Sequence, residues 1–205
     1  MTNLLEKLTK ENIRDLLDPK LGAITVPINA DCFVEIQKAF TKFNQQFTKA
    51  ASNPPKTLVS NYSFACLDIT RQDSVAKCFI DFAKQLASEL NDEINRHFNL
   101  SEQIEFDDLY FTRYDVSEMG VGPHRDVNCK NFVVVLVLEG SAPFYVCEDK
   151  EIAGKKSVSA KLGQIMIMRA RNFLDLPAPL HYVGAIKSSP MLQFGMRQYI
   201  NKPNH

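Results

Sequence analysis

The chain carries no excess of charge: 24 Lys and Arg stand against 24 Asp and Glu in 205 residues. No global field therefore draws it to nucleic acid or to acidic membranes, although a local basic groove is still compatible with that balance. No apolar run is long enough to span a bilayer. The opening stretch, MTNLLEKLTKENIRDLLDPK, is charged throughout and lacks the uninterrupted apolar centre of a signal peptide. The five cysteines (Cys32, Cys66, Cys78, Cys129 and Cys147) are odd in number and have no CxxC spacing. They read as reduced thiols of a cytoplasmic protein and argue against zinc held by cysteine. A GxSxG elbow is missing, so a serine hydrolase has no nucleophile to offer. Internal repeats and low-complexity tracts are missing too, and the expectation is one domain over 1–205.

What is present divides into two halves by period. Residues 1–100 form mainly helical support. Leu4, Leu5, Leu8, Ile13, Leu16 and Leu17 recur at helical spacing until Pro19 and Gly22. A strand over Ala23–Ile28 follows. Phe33, Ile36, Phe40, Phe43 and Phe47 then stripe a helix from about Asp31 to Ala50. The Pro54–Pro55 pair marks a loop over Ala51–Ser63. Val75, Phe79, Phe82, Leu86, Leu90, Ile94 and Phe98 stripe a second long helix capped at Asp73 or Ser74. Both stripes read as scaffold that packs on a sheet.

From residue 104 to 201 the period becomes strand-like. Phe106–Tyr114, the β-branched run Asn131–Leu138, Phe144–Cys147, Val158–Leu162, Ile165–Met168, His181–Ile186 and Met191–Ile200 are expected strands. Helices followed by about eight closely spaced strands predict an α+β fold, a double-stranded β-helix (jelly-roll) with N-terminal helices packed on one sheet.

Histidine is scarce, at four positions. His205 is terminal, and His97 suits a helix end with its exposed carbonyls. That leaves His124 and His181, each at a strand terminus. His124 and Asp126, two residues apart on extended backbone, share one side. With His181 they can supply two imidazoles and one carboxylate to one face of a metal, the set suited to non-haem Fe(II). A Gly/Pro-rich rim precedes His124 in the chain, and the segment PAPLHYVGAI leads into His181 in the same way. On Met191–Ile200, alternation puts Gln193, Gly195, Arg197 and Tyr199 on one face. A guanidinium there needs a partner, either a structural carboxylate or a bound one.

The order His124-x-Asp126…His181…Arg197 resembles the Fe(II)/2-oxoglutarate-dependent oxygenases. The 16-residue interval from His181 to Arg197 resembles the AlkB-type branch. The resemblance implies that His124, Asp126 and His181 hold Fe(II), with 2-oxoglutarate and O2 as co-substrates. It assigns the distal carboxylate of 2-oxoglutarate to Arg197. Tyr114 matches the Tyr of that branch's N-x-Y segment, whose hydroxyl helps to hold the co-substrate, while Thr112 stands where Asn is expected. The implied reaction hydroxylates a C–H bond and releases succinate and CO2. A carboxylate at Asp126 leaves no vacant ligand position for halide.

Substrate evidence is thinner. AlkB-type nucleic-acid dealkylases carry a second Arg soon after the co-substrate Arg, and QYINKPNH after Arg197 has none. A small molecule or amino-acid-type substrate is the first expectation. Oxidative demethylation of nucleic acid or protein and a non-catalytic metal-binding jelly-roll are the alternatives. Tyr62, Phe64, Arg169 and Phe173 are candidate substrate contacts. His124–Asn131 also fits the kinase catalytic loop HRDxxxxN, but no phosphate-binding loop, VAIK strand or DFG accompanies it.

Overall fold

Local sequence sets each element of the computed structural model, which describes residues 3–5, 7–43, 47–49, 61–98, 103–126, 128–171 and 173–200. Helix α1 (Lys10–Leu17) begins where Thr9 and Asn12 form a capping box. The expected start near Leu4 is too early. Leu4 and Leu5 instead donate their N–H groups to the Glu89 carboxylate, and Leu5 bridges to Ile28. Strand β1 (Ala23–Pro27) leads into α2 (Ala30–Thr41), whose N-cap is Asn29. This helix stops short of Ala50, yet Phe43 beyond its end still packs with its ring centroid 4.1 Å from that of Phe111.

Strands β2 (Thr48–Lys49) and β3 (Tyr62–Leu67) follow. Most of the loop expected over Ala51–Ser63 lies outside the described residues, and its last two positions belong to β3. Asp73 caps α3 (Ser74–Asn95) by accepting from the Ala76 N–H at 2.9 Å. Eight more strands complete the chain: β4 (Asp108–Tyr114), β5 (Val121–His124), β6 (Cys129–Glu139), β7 (Phe144–Cys147), β8 (Lys156–Ser157), β9 (Gln164–Arg169), β10 (Leu180–Val183) and β11 (Met191–Tyr199). The strand expected at Val158–Leu162 does not form. A turn closes there, with the Gln164 N–H on the Lys161 carbonyl and Gly163 at φ 76°.

The strands make two antiparallel sheets. The larger has the order β1-β9-β6-β11-β4-β3-β2 and the smaller β5-β10-β7-β8. The helices lie on the outer face of the larger sheet. There Phe79 of α3 meets Phe111 and Phe194 at centroid separations of 4.8 and 5.1 Å. Each such ring, fully buried, contributes roughly 1.5–3 kcal/mol of hydrophobic stabilisation. The inner face of the larger sheet looks toward the smaller one. The result is an α+β jelly-roll with helices on one sheet. All five cysteines are free, and no helix among the described residues is long and apolar enough to cross a membrane.

Candidate active site

The smaller sheet brings the two histidines together. In the β5–β10 pair His181 sits directly opposite His124, with ring centroids 4.3 Å apart. Strand β5 ends at His124, so Asp126 lies two residues past it in irregular chain. The intervening Arg125 turns away and donates to the Ala178 carbonyl. One ligand atom from each of His124, Asp126 and His181 lies within 4.8 Å of the other two. Phe144 stacks on His181 at 5.2 Å and closes the far side of that ring.

The protonation pattern suits a cation. Nδ1 of His124 faces the Gly122 carbonyl at 2.8 Å, and Nδ1 of His181 faces the Pro179 carbonyl at 3.2 Å. A carbonyl accepts only, so Nδ1 donates in each ring and Nε2 is the nitrogen left for a metal. Burial, and then the neighbouring His124, push His181 down to about 4, so its ring is neutral near pH 7. The 3.4 Å approach of His181 Nε2 to the Asp126 carboxylate is therefore not an ion pair. A divalent cation held between His181 Nε2 and the Asp126 carboxylate would be coordinated by both, and two imidazole nitrogens with one carboxylate oxygen is a donor set that Fe(II) accepts. The carbonyl contact at Nδ1 of each ring is the outer support that metal-bound histidines need.

A cavity of about 100 Å3 opens beside the three residues, between the sheets. Its walls include the inner-face residues Tyr62, Tyr110, Thr112, Tyr114, Gln193 and Arg197, with Val133, Val135, Met166 and Met168 as an apolar floor. Strand register explains the company: Thr112 pairs with Gln193, and Asp108 with Arg197. Tyr114 is buried, its hydroxyl 3.5 Å from Gln193 Nε2, and burial raises its pKa so the phenol stays protonated. Arg197 forms an ion pair with Asp108 and donates from Nη2 to the Tyr199 hydroxyl at 2.7 Å.

A second cavity of about 270 Å3 adjoins the first and shares Tyr62, Tyr110, Thr112 and Arg197 with it. Phe64, Cys66, Asp108 and Tyr199 complete its lining. Tyr62 thus borders both spaces and Phe64 only the outer one. Two expected substrate contacts are elsewhere. Arg169 is fully buried, and its guanidinium donates to the carbonyls of Leu16, Asp18, Pro19 and Pro177. It clamps the α1–β1 turn to the loop before β10. Phe173 is a core ring, edge-on to Phe98 and 4.6 Å from Phe132. Among the residues not singled out beforehand, Tyr110 was signalled by alternation, since Asp108, Tyr110, Thr112 and Tyr114 share one face of β4. Asp108 could be matched to Arg197 only once the register was known.

Neither protein-family models nor curated proteins give a match to the sequence. Solved structures do. An oxidoreductase of the 2OG-Fe(II) oxygenase family from Burkholderia pseudomallei superposes with a TM-score of 0.67 at 10% identity, covering 98% of this chain and 100% of that one. A dioxygenase for auxin oxidation from Arabidopsis thaliana, bound to 2-oxoglutarate, gives 0.63 at 12% identity over 90% and 85%. A prolyl-4-hydroxylase from Pseudomonas putida gives 0.55 at 15% identity over 91% and 96%. At such identities the likeness establishes architecture. The sheets and helices follow the architecture of these 2-oxoglutarate–Fe(II) oxygenase structures.

Proposed function

We propose that this protein is an Fe(II)- and 2-oxoglutarate-dependent dioxygenase that hydroxylates a C–H bond of a small molecule or amino-acid-type substrate. The observation that carries this reading is the convergence of His124, Asp126 and His181 within 4.8 Å in a cavity that also contains Arg197. The fold's solved members, one of them holding 2-oxoglutarate, support the same assignment.

Bound Fe(II) would supply the reaction with O2 that no side chain can perform. The rest falls to the chain's own residues. His124, Asp126 and His181 would hold the metal through two imidazole nitrogens and one carboxylate oxygen. Arg197 receives the distal carboxylate of 2-oxoglutarate, and the Tyr114 hydroxyl, kept protonated by burial, donates to the same molecule. Val133, Val135, Met166 and Met168 keep water from the floor of the cavity. Overall, 2-oxoglutarate, O2 and R–H give succinate, CO2 and R–OH, one oxygen atom entering succinate and the other the alcohol. The adjoining space beside Tyr62 and Phe64 is assigned to the substrate. Its paired Asp108 and Arg197 leave it without net charge, and its walls are largely aromatic, which favours an uncharged or ring-bearing group over a polyanion.

The test is succinate release from 2-oxoglutarate by the purified protein with Fe(II), alone and against a panel of small molecules with product mass recorded. Wild-type protein should consume 2-oxoglutarate, and Asp126→Ala should bind Fe(II) at least about 100-fold more weakly, equivalent to about 2.7 kcal/mol. Undiminished metal binding and turnover in Asp126→Ala would remove the site assignment.

A further inference from the structure

Arg197 is not a bare cation. Its Nε donates to the Asp108 carboxylate directly across the β4–β11 pair, and Nη2 donates to the Tyr199 hydroxyl. Its Cζ lies 4.5 Å from the centroid of the Tyr110 ring and 4.9 Å from that of Tyr199, so aromatic faces also hold the guanidinium. Tyr110 is seated in turn by Gly195. A Cβ added there would come within 2.2 Å of the ring, so the phenol rests on β11 where a side chain would displace it.

A guanidinium has five N–H donors in a fixed fork. These contacts commit Nε and one hydrogen of Nη2, and among the described contacts Nη1 and the other Nη2 hydrogen are left for a carboxylate. Asp108 stands on the Nε side with its side chain only 12% exposed, so water does little to disperse its charge. An incoming carboxylate thus meets a cation already neutralised by a second carboxylate close by.

We propose that Asp108 is a positioning residue with a second effect: it fixes Arg197 while weakening its hold on a dicarboxylate, so that the product leaves. The proposal rests on the oxygenase reading above. Under that reading 2-oxoglutarate has two handles, a keto acid for the metal and a distal carboxylate for Arg197. Succinate has lost the keto group and depends more heavily on Arg197. A full positive charge there would retain the product, and one offset by Asp108 releases it.

Calorimetric titration of succinate and of 2-oxoglutarate into the anaerobic Fe(II)-loaded protein tests this without turnover. Asp108→Asn keeps an oxygen to accept from Nε and removes the charge. Both ligands should then bind about tenfold more tightly, since the opposing charge sits in poorly solvated surroundings. In steady state kcat should fall with product release while KM for 2-oxoglutarate also falls. A bracing role alone predicts the opposite, weaker binding as Arg197 loosens. Weaker or unchanged binding overturns the proposal, and Asp108→Ser provides the same reading if the Asn variant does not fold. Tyr199→Phe, which removes a contact but no charge, should not tighten either ligand. Wild-type protein that binds neither dicarboxylate overturns this proposal together with the oxygenase reading. Wild-type binding that Asp108→Asn leaves unimproved overturns this proposal alone.

Discussion

The two faces of the larger sheet differ in what they ask of the sequence. On β11, Phe194 and Met196 point outward into the helices and are fully buried. Their neighbours Gln193 and Arg197 point inward to the cavity. The same alternation holds on β4, with Leu109 and Phe111 outward and Tyr110, Thr112 and Tyr114 inward. The outer face gains free energy from every side chain it buries. The inner face carries buried Thr112 and Gln193, groups that an apolar jelly-roll interior would not choose. Stability is concentrated on one side of a single layer and binding chemistry on the other, so substitutions one residue apart should fail in different assays.

The sharpest test of that division is Phe194→Ala. Its ring meets Phe79, Phe82 and Phe111, so truncation should cost about 3–5 kcal/mol in urea unfolding. The fraction that folds should bind Fe(II) as the parent does. A cost below about 1 kcal/mol would mean that the outer face is not the core described here.

Arg169→Ala comes next and probes a charged residue that belongs to neither face. It strips hydrogen bonds from four backbone carbonyls and should cost about 3 kcal/mol. Turnover by the folded protein should keep its substrate KM. A selective rise in KM with stability intact would return Arg169 to the cleft.

Arg169 also shows how far the sequence could be read. A cation at the end of the apolar strand QIMIMR signals that something neutralises it, but alternation cannot name the partner. The partners are carbonyls of the Leu16–Pro19 turn and of Pro177, distant in sequence and visible only in three dimensions. Phe173 failed in a different way, because an aromatic in an irregular loop carries no period to place it inside or outside. His124 and His181 were legible because histidines are few and both were expected at strand ends, whereas Asp126 was expected on the strand with His124 and instead reaches the site from irregular chain just past β5. Arg197 was legible as a cation needing an anion, while Asp108 was not, since register is a property of the pair of strands. The N-terminal leucines had helical spacing yet lie outside α1, because Thr9 supplies a stronger start signal and Glu89 holds Leu4 and Leu5.

The cavity between the sheets should also make the metal-free protein acid-sensitive. His181 is depressed to about 4 from 6.5, first by burial and then by His124. In the unfolded chain the ring takes up its proton near pH 6.5, while the folded chain resists until about pH 4. The unfolded state binds more protons across that window, so stability falls as pH drops from 6.5 to 4, by about 2–3 kcal/mol. Denaturant unfolding at stepped pH should show this slope, flattened in His181→Asn. Added Fe(II) should stabilise the wild type at pH 7 and progressively less toward pH 5, because protons compete for the ligand atoms. An apo protein equally stable at pH 6.5 and 4 would contradict a buried neutral imidazole.

Tyr114→Phe is the smallest perturbation and the finest test of the contrast. The hydroxyl's one described partner, Gln193 Nε2 at 3.5 Å, lies at the limit of hydrogen bonding, so its loss should change stability by less than about 1 kcal/mol. The ring would still pack against Tyr62, whose centroid is 5.6 Å away. If the phenol serves the co-substrate, the variant should need several-fold more 2-oxoglutarate, on the order of 1 kcal/mol of lost binding, at unchanged Fe(II) affinity. If it only fills space, both constants should stay where they are. A stability loss as large as that of Phe194→Ala would be the most damaging result, because it would make an inner-face residue carry the kind of free energy assigned here to the outer face alone.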